Sequence, residues 1–278
     1  MKGSDLFAMV ASRPPAARMA PAVAAFFKDY LENEKAARFG EQVVFNSHFP
    51  PFPGPAFDAF LQQVLTVGRA GPRRQLYSVT LAITNRCGYR CWHCYNAGRS
   101  ARDMSLETLC TLATELQDLG AIQITLTGGE PLLRDDVEEI AAAFDERACL
   151  VLGTTGEGLT PARARSLRES GVFAVGVSLD SAREAEHDRL RGRPGAWRTA
   201  LTALPTAEEA GLYPYVVAVA TRELLERGRF FDFLAFAGRA GAREVHLLEP
   251  SATGRLVDRR DVLLTPAERG LLFDYQRE

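Results

Sequence analysis

The chain has 278 residues, 46% of them hydrophobic and 24% charged, with a formal net charge of −2 from 33 basic and 35 acidic residues. This is the balance of a globular protein, long enough for one large domain with an appendage. No basic excess points to nucleic acid and no apolar run is long enough for a bilayer. Arg13, Pro14, Pro15 and Arg18 spoil any signal peptide, so the cytoplasm is the expected compartment.

Residues 1–75 differ from the rest and read as a small, mostly helical extension. Ala and Phe around Pro21–Leu31 suggest one helix. The stretch His48–Pro55 (HFPPFPGP) holds four prolines, which forbid a regular helix or central strand. Ala56–Val67 suggests a second helix, and Gly71 and Pro72 then punctuate the chain. Phe45, Phe49, Phe52 and Phe57 around the proline segment would either buttress the main domain or help hold substrate.

A rhythm begins at Tyr77. Strands are predicted at Tyr77–Ile83, Ala121–Leu126, Cys149–Leu152, Phe173–Leu179, Tyr215–Ala220 and Glu244–Leu248. Ser105 caps a helix with apolar positions Leu106, Leu109, Leu112, Leu116 and Leu119, ended by Gly120. Asp135 and Glu138 resemble a capping box before Val137, Ile140, Ala141 and Phe144. Thr160-Pro161 starts another helix and Gly171 stops it. Trp197, Ala200, Leu201 and Leu204 share a helix face that Pro205 should break or kink. Phe230, Phe233, Leu234 and Ala237 share another, stopped by Gly241. The alternation implies an α/β fold with a parallel sheet. Six units suit a partial (β/α)6 TIM-like barrel or an open doubly wound sheet. In both, ligands gather at the C-terminal ends of the strands.

Five cysteines are present, and Cys87, Cys91 and Cys94 fall within eight positions just after the first predicted strand. Cys87-Gly-Tyr-Arg-Cys91-Trp-His-Cys94 spaces them CxxxCxxC. Three thiolates on one loop can hold three irons of a 4Fe-4S cluster and leave the fourth open to chelate a ligand. Zinc is the alternative, with His93 or Cys110 as fourth ligand. A redox CxxC would leave Cys87 unexplained, and buried structural thiols are the plainest reading. Cys110 and Cys149 read as core residues.

CGYRCWHC resembles the signature of the radical SAM superfamily. That resemblance implies that the open iron binds the amino and carboxylate groups of S-adenosylmethionine (SAM). One electron then breaks the S–C5′ bond to give a 5′-deoxyadenosyl radical. It places His93 where the family carries a ring near adenine, and it implies a flavodoxin- or ferredoxin-like electron donor. Thr127-Gly128-Gly129-Glu130-Pro131 is similar to the family's GGEP segment, which implies a contact to the SAM amine. Ser178 and Asp180, at the end of the fourth predicted strand, match a strand end that touches the SAM ribose or carboxylate. His187-Asp188-Arg189-Leu190-Arg191-Gly192 is similar to the HDxxRG stretch of the peptide-modifying and cofactor-maturing branch, with Arg191 set to hold the SAM carboxylate. Read from the residues alone, these segments are a strand-to-helix turn, a helix cap and a solvated salt bridge. Gly153-Thr154-Thr155-Gly156 departs from relatives in carrying Thr155 where Asn is common.

Pro250–Arg255 (PSATGR) is similar to a segment preceding the SPASM extension of that branch. No cysteine follows Cys149, so auxiliary clusters are not expected from this chain. The expected organisation is an extension at 1–75, a radical SAM core at 76–255 and a C-terminal helix at 256–278. The expected function is radical-initiated hydrogen abstraction in peptide or cofactor and tetrapyrrole maturation. The alternatives are an oxidoreductase or dehydratase of a sugar or nucleoside, and a non-catalytic zinc protein. The expected partners are the electron donor and a peptide or small-molecule substrate, with no nucleic acid and no membrane.

Overall fold

The computed structural model describes residues 3–12, 21, 24–25, 28–29, 36–67, 75–99 and 101–277. Most of the helix predicted at Pro21–Leu31, and the Gly71-Pro72 break, lie outside the described residues.

Six parallel strands form the main sheet: β3 (Ser78–Thr84), β4 (Gln123–Gly128), β5 (Cys149–Thr154), β6 (Val172–Ser178), β7 (Tyr213–Val219) and β8 (Val245–Leu248). Their spatial order is their chain order. Same-handed crossovers between neighbours put every helix on one face and leave no reversal point, so the sheet curls into a partial barrel rather than a doubly wound sheet. The six predicted strands are all present, each within a few residues of its expected bounds.

The helices that follow β3 to β7 in turn are α3 (Leu106–Asp118), α4 (Val137–Ala142), α5 (Pro161–Glu169), the pair α6 (Glu184–Arg191) and α7 (Ala196–Glu209), and α8 (Arg227–Arg239). They cover the outer face, where Leu81, Ile83, Ile124, Leu126, Leu152, Val175 and Val216 are buried against Leu109, Ile140, Leu167 and Leu204. Two predicted caps form: the Ser105 hydroxyl accepts from the Thr108 amide and Thr160 from the Arg163 amide. The predicted capping box does not. The N-cap is Asp136, and the Arg134 guanidinium occupies its carboxylate at 2.6 and 2.7 Å. Pro205 does not break α7, because Ala200, Ala203, Leu204 and Ala207 around it are buried against the sheet. Helix α6 was not foreseen. The chain ends in α9 (Pro266–Arg277).

The described part of the N-terminal region holds strands as well as helices. Between α1 (Gly3–Ala11) and α2 (Pro55–Val67) lies an antiparallel hairpin, β1 (Ala37–Phe39) and β2 (Gln42–Val44). Phe45, Phe52, Phe57, Phe60 and Leu61 form a separate core against Ile122 and Cys149, so most of the predicted phenylalanine cluster is a buttress. Val44 sits among Val151, Ala174, Tyr213 and Tyr215 on the inner face of the sheet and stoppers its N-terminal end.

The next residues tie the barrel's open seam. Tyr77, just before β3, donates its hydroxyl to the His48 carbonyl at 2.6 Å. Across the gap, Glu244 accepts from the Ser47 amide at 2.8 Å and its hydroxyl at 2.9 Å. Gln123 of β4 donates to the Ser47 carbonyl. β3 and β8 do not pair with each other, so this strap bridges them. Among the described residues no helix is long and apolar enough to cross a membrane.

Hydrogen bonds to an ionised group contribute about 1.5–3 kcal/mol. Glu244→Ala should therefore lower unfolding free energy by about 2–3 kcal/mol in urea titration. It should also speed hydrogen exchange at the Ser47 amide; an unchanged exchange rate there would show that the strap is held elsewhere.

Candidate active site

The segment between β3 and α3 has no helix or strand of its own, only turns, and it carries Cys87, Cys91 and Cys94. Three glycines from three different units press on its backbone. A β-carbon on Gly129 would lie 2.1 Å from the Arg86 carbonyl oxygen, one on Gly192 2.6 Å from that of Arg90, and one on Gly254 2.2 Å from that of Cys94. None of these positions has room for a side chain.

Hydrogen bonds follow the same contacts. The Gly129 amide donates to Thr84, Glu130 to Arg86, Arg90 to Arg191, Trp92 to Leu190 and Arg255 to Cys94. The segments that resemble GGEP, HDxxRG and PSATGR are thus clamps on the cysteine loop.

Glu130 completes the first clamp. It is fully buried, and its carboxylate accepts from the Thr154 hydroxyl (2.6 Å), the Thr155 hydroxyl (2.6 Å) and amide (2.7 Å), and the Leu132 amide (3.1 Å). Burial pushes its pKa up, against those hydrogen bonds. The carboxylate faces β5 rather than the barrel cavity, while Gly128 and Gly129 line that cavity. Thr155 thus supplies two of its partners, a hydroxyl and an amide.

Ser178 and Asp180 diverge, although residues two apart on a strand would share a face. β6 ends at Ser178, which lines the cavity. Asp180 lies beyond it in a buried ion pair with Arg191: Nη2 donates to Oδ1 at 3.0 Å, and Nε stands 2.8 Å from Oδ2. The Val219 amide also donates to Oδ1. The Asp180 amide donates to Nδ1 of buried His187, whose pKa burial lowers to about 4. That ring is neutral, with its proton on Nε2. Arg191 Nη1 points at Cys91 Sγ, 3.9 Å away, and Arg191 lines the cavity.

All three cysteines open onto one cavity of about 610 Å³ in the barrel lumen. Burial pushes the Cys87 and Cys91 thiols up, each further raised by neighbouring cysteines, while Arg191 pulls Cys91 back down. Among the described residues no three His, Cys, Asp or Glu side chains converge for a single metal ion. Buried Cys149, its thiol pushed up to about 12 by burial, belongs to the N-terminal core, and Cys110 is part-exposed on α3.

The residues fit a cluster with a polar organic ligand. Three free thiols on one loop supply the cluster's ligand type. His93 Nδ1 and Asn96 Oδ1 are buried, lack a hydrogen-bond partner and belong to cavity-lining residues. Burial lowers the His93 pKa to about 4, so a neutral ring stands beside the thiols. Buried polar atoms are ordinarily satisfied, and these two await a partner.

Sequence reasoning missed the lumen wall, although its signal was present. Parallel strands buried on both faces read as continuous apolar runs. Here Ser78 and Thr80, then Gln123, Thr125 and Thr127, alternate with apolar residues, and all five line the cavity.

Comparison with known proteins agrees with this architecture. The Radical SAM superfamily signature matches residues 81–221. The chain belongs to the radical SAM superfamily, whose members use a 4Fe-4S cluster and SAM. The AdoMet-dependent heme synthase of Methanosarcina barkeri is 32% identical over 202 residues, covering 70% of this chain and 57% of that protein. A probable GTP 3',8-cyclase of Methanosarcina acetivorans is 33% identical over 149 residues, covering 51% and 44%. The chain thus spans roughly half the length of these relatives. In fold it resembles Streptococcus suis SuiB bound to S-adenosylmethionine, with TM-score 0.61 and 16% identity over 80% of this chain and 54% of that one. It also resembles anSMEcpe with bound AdoMet, with TM-score 0.56 and 16% identity over 72% and 60%.

Two substitutions separate clamp from scaffold. Gly192→Ala, at φ 60° and against Arg90, should reconstitute with less than half the wild-type iron while its far-UV circular dichroism is unchanged. Glu130→Ala leaves buried donors unpaired and should cost about 3 kcal/mol or more in denaturant unfolding. A loss below about 1 kcal/mol would show that Glu130 does not hold the turn.

Proposed function

We propose that Cys87, Cys91 and Cys94 hold a 4Fe-4S cluster whose open iron takes SAM, and that the chain directs the resulting chemistry at a C–H bond of a small molecule in the lumen. The observation that carries this reading is the cysteine loop itself. It is clamped at Arg86, Arg90 and Cys94, and all three of its thiols face one polar cavity. When bound, cluster and SAM supply one-electron cleavage of a C–S bond and hydrogen-atom abstraction.

The chain's own residues then have distinct tasks. The backbone of Gly128 and Gly129 offers polar groups to the SAM amine. Arg191, fixed by Asp180 and with Nη1 directed at Cys91 Sγ, would hold the SAM carboxylate. The His93 ring, with its unpartnered Nδ1, would meet the adenine, and the Ser178 hydroxyl the ribose. The strap at residues 44–49 closes the N-terminal side of the sheet, with Val44 buried on its inner face and Ser47 held by Glu244. A flavodoxin- or ferredoxin-like protein delivers the electron.

On substrate, the relatives named heme synthase and Fe-coproporphyrin III synthase, at 32% and 36% identity, favour maturation of a tetrapyrrole or another cofactor precursor. The peptide-binding neighbours share the fold at 14–16% identity, which is weaker support for a peptide.

The test is anaerobic reconstitution with iron and sulfide, then dithionite and SAM, with 5'-deoxyadenosine as the product assayed. The wild-type chain should form it, and Cys91→Ala should form none above background. A fully loaded cluster that never cleaves SAM, and whose spectrum SAM leaves unchanged, would sink the proposal in favour of a structural or electron-transfer cluster.

A further inference from the structure

Among the described residues the cavity wall carries no carboxylate. Among its lining residues are Arg99, Arg191 and Arg255, and the histidines His48, His93 and His246, in a chain with slightly more acidic than basic residues. Nearby carboxylates are turned to other partners: Glu130 to Thr154 and Thr155, Asp180 to Arg191, Glu244 to Ser47. Arg255 and Arg99 have no ion pair among the described residues; Arg99 lies 5.9 Å from the Tyr95 ring. Two cations without an ion pair at a cleft that presents no carboxylate favour an anionic ligand.

Inside this wall, away from the cysteine loop, two imidazoles meet. His48 Nε2 lies 3.2 Å from His246 Nε2, with the rings inclined at 72°. One nitrogen donates and the other accepts, so the two rings are not both protonated. Each ring stands on a fixed element. His48 belongs to the strap, with its amide on Asn46 Oδ1 and its carbonyl on the Tyr77 hydroxyl, and His246 belongs to β8. The seam is already tied by Ser47, Glu244 and Tyr77, so closure does not need two imidazoles facing a cavity.

We propose that His48 and His246 form the receiving site for an acidic group of the substrate, a carboxylate or a phosphate, at the end of the lumen opposite the cysteines. The proposal rests on the lumen being the substrate chamber of the function above, and it names that substrate as an anion.

On arrival the anion replaces the imidazole–imidazole hydrogen bond. Each Nε2–H then donates to an anionic oxygen, and the pair takes one proton from solvent. In the free protein, burial lowers the pKa of His48 and pushes that of His246 down to about 4, His48 adding to the latter. At neutral pH the pair is therefore uncharged. The titratable groups facing it are Glu244 just before β8, Tyr215 on β7 with its ring 6.5 Å from His246, and Tyr77 beside β3. A bound anion favours the charged form, so affinity rises as pH falls. One proton taken up per anion corresponds to at most about tenfold in affinity per pH unit.

The chain has four histidines, which makes ring signals a direct readout. Cluster-loaded protein with carbon-13-labelled histidine, saturated with SAM so that the site of the SAM carboxylate is filled, is titrated with glutarate and separately with inorganic phosphate. The His48 and His246 signals, assigned with His48→Gln and His246→Gln, should move together and saturably. Their pH midpoints should rise by about a unit or more, and the signal of His187, 1% exposed, should stay in place. His246→Gln should weaken the anion at least tenfold. A response to glutarate alone assigns a carboxylate, and one to phosphate alone a phosphoryl group. Both signals unmoved by either anion, or an anion that binds while they stay fixed, would overturn the proposal and leave the pair as a seam contact. The readout needs no turnover, so its failure leaves the 5'-deoxyadenosine test standing, and the converse also holds.

Discussion

The structure depends on holding an irregular loop still. Residues 85–99 must present three thiols in one direction, yet they have no hydrogen-bonded ladder of their own. Rigidity is supplied from outside, by glycine backbones that approach to distances no side chain would permit: Gly129 on Arg86, Gly192 on Arg90 and Gly254 on Cys94. The three clamps come from the β4 end, the α6 end and the segment after β8, so the loop is fixed only when the whole sheet has curled. Cluster geometry and barrel curvature are one constraint.

Buried charge reinforces this arrangement. Glu130 joins the end of β4 to the end of β5, and the Asp180–Arg191 pair joins β6, α6 and the Val219 amide of β7. The Glu130 carboxylate accepts four hydrogen bonds, and the Asp180–Arg191 ion pair carries one between its partners, Nη2 to Oδ1. Breaking that pair strands a charge, a cost of about 3–5 kcal/mol. Arg191 does two things at once, since the guanidinium that pairs with Asp180 also directs Nη1 at Cys91 Sγ.

The opposite end of the barrel has a different solution. A six-stranded sheet leaves a gap, and the N-terminal hairpin and strap fill it with Val44, Ser47 and His48. The proline-rich segment was legible as irregular, and its phenylalanines as a cluster, but their division of labour was not. The rings turn outward to a core of their own, and the polar residues turn inward to the lumen.

Local periodicity in the sequence determined the strands, the caps at Ser105 and Thr160, and the cysteine motif just past a strand, because these depend on residues a few positions apart. Helix α6, the uninterrupted α7 and the failed cap at Asp136 escaped it, since Arg134 and the sheet overrode local preference. The choice of barrel over open sheet belongs to tertiary structure, because periodicity records which residues are buried and not the order of strands. The same holds for the direction Glu130 faces, the parting of Ser178 from Asp180, and the meeting of His48 with His246, 198 positions apart. Those outcomes are decided by which backbones come close when the sheet closes, and spacing along the chain carries no record of that.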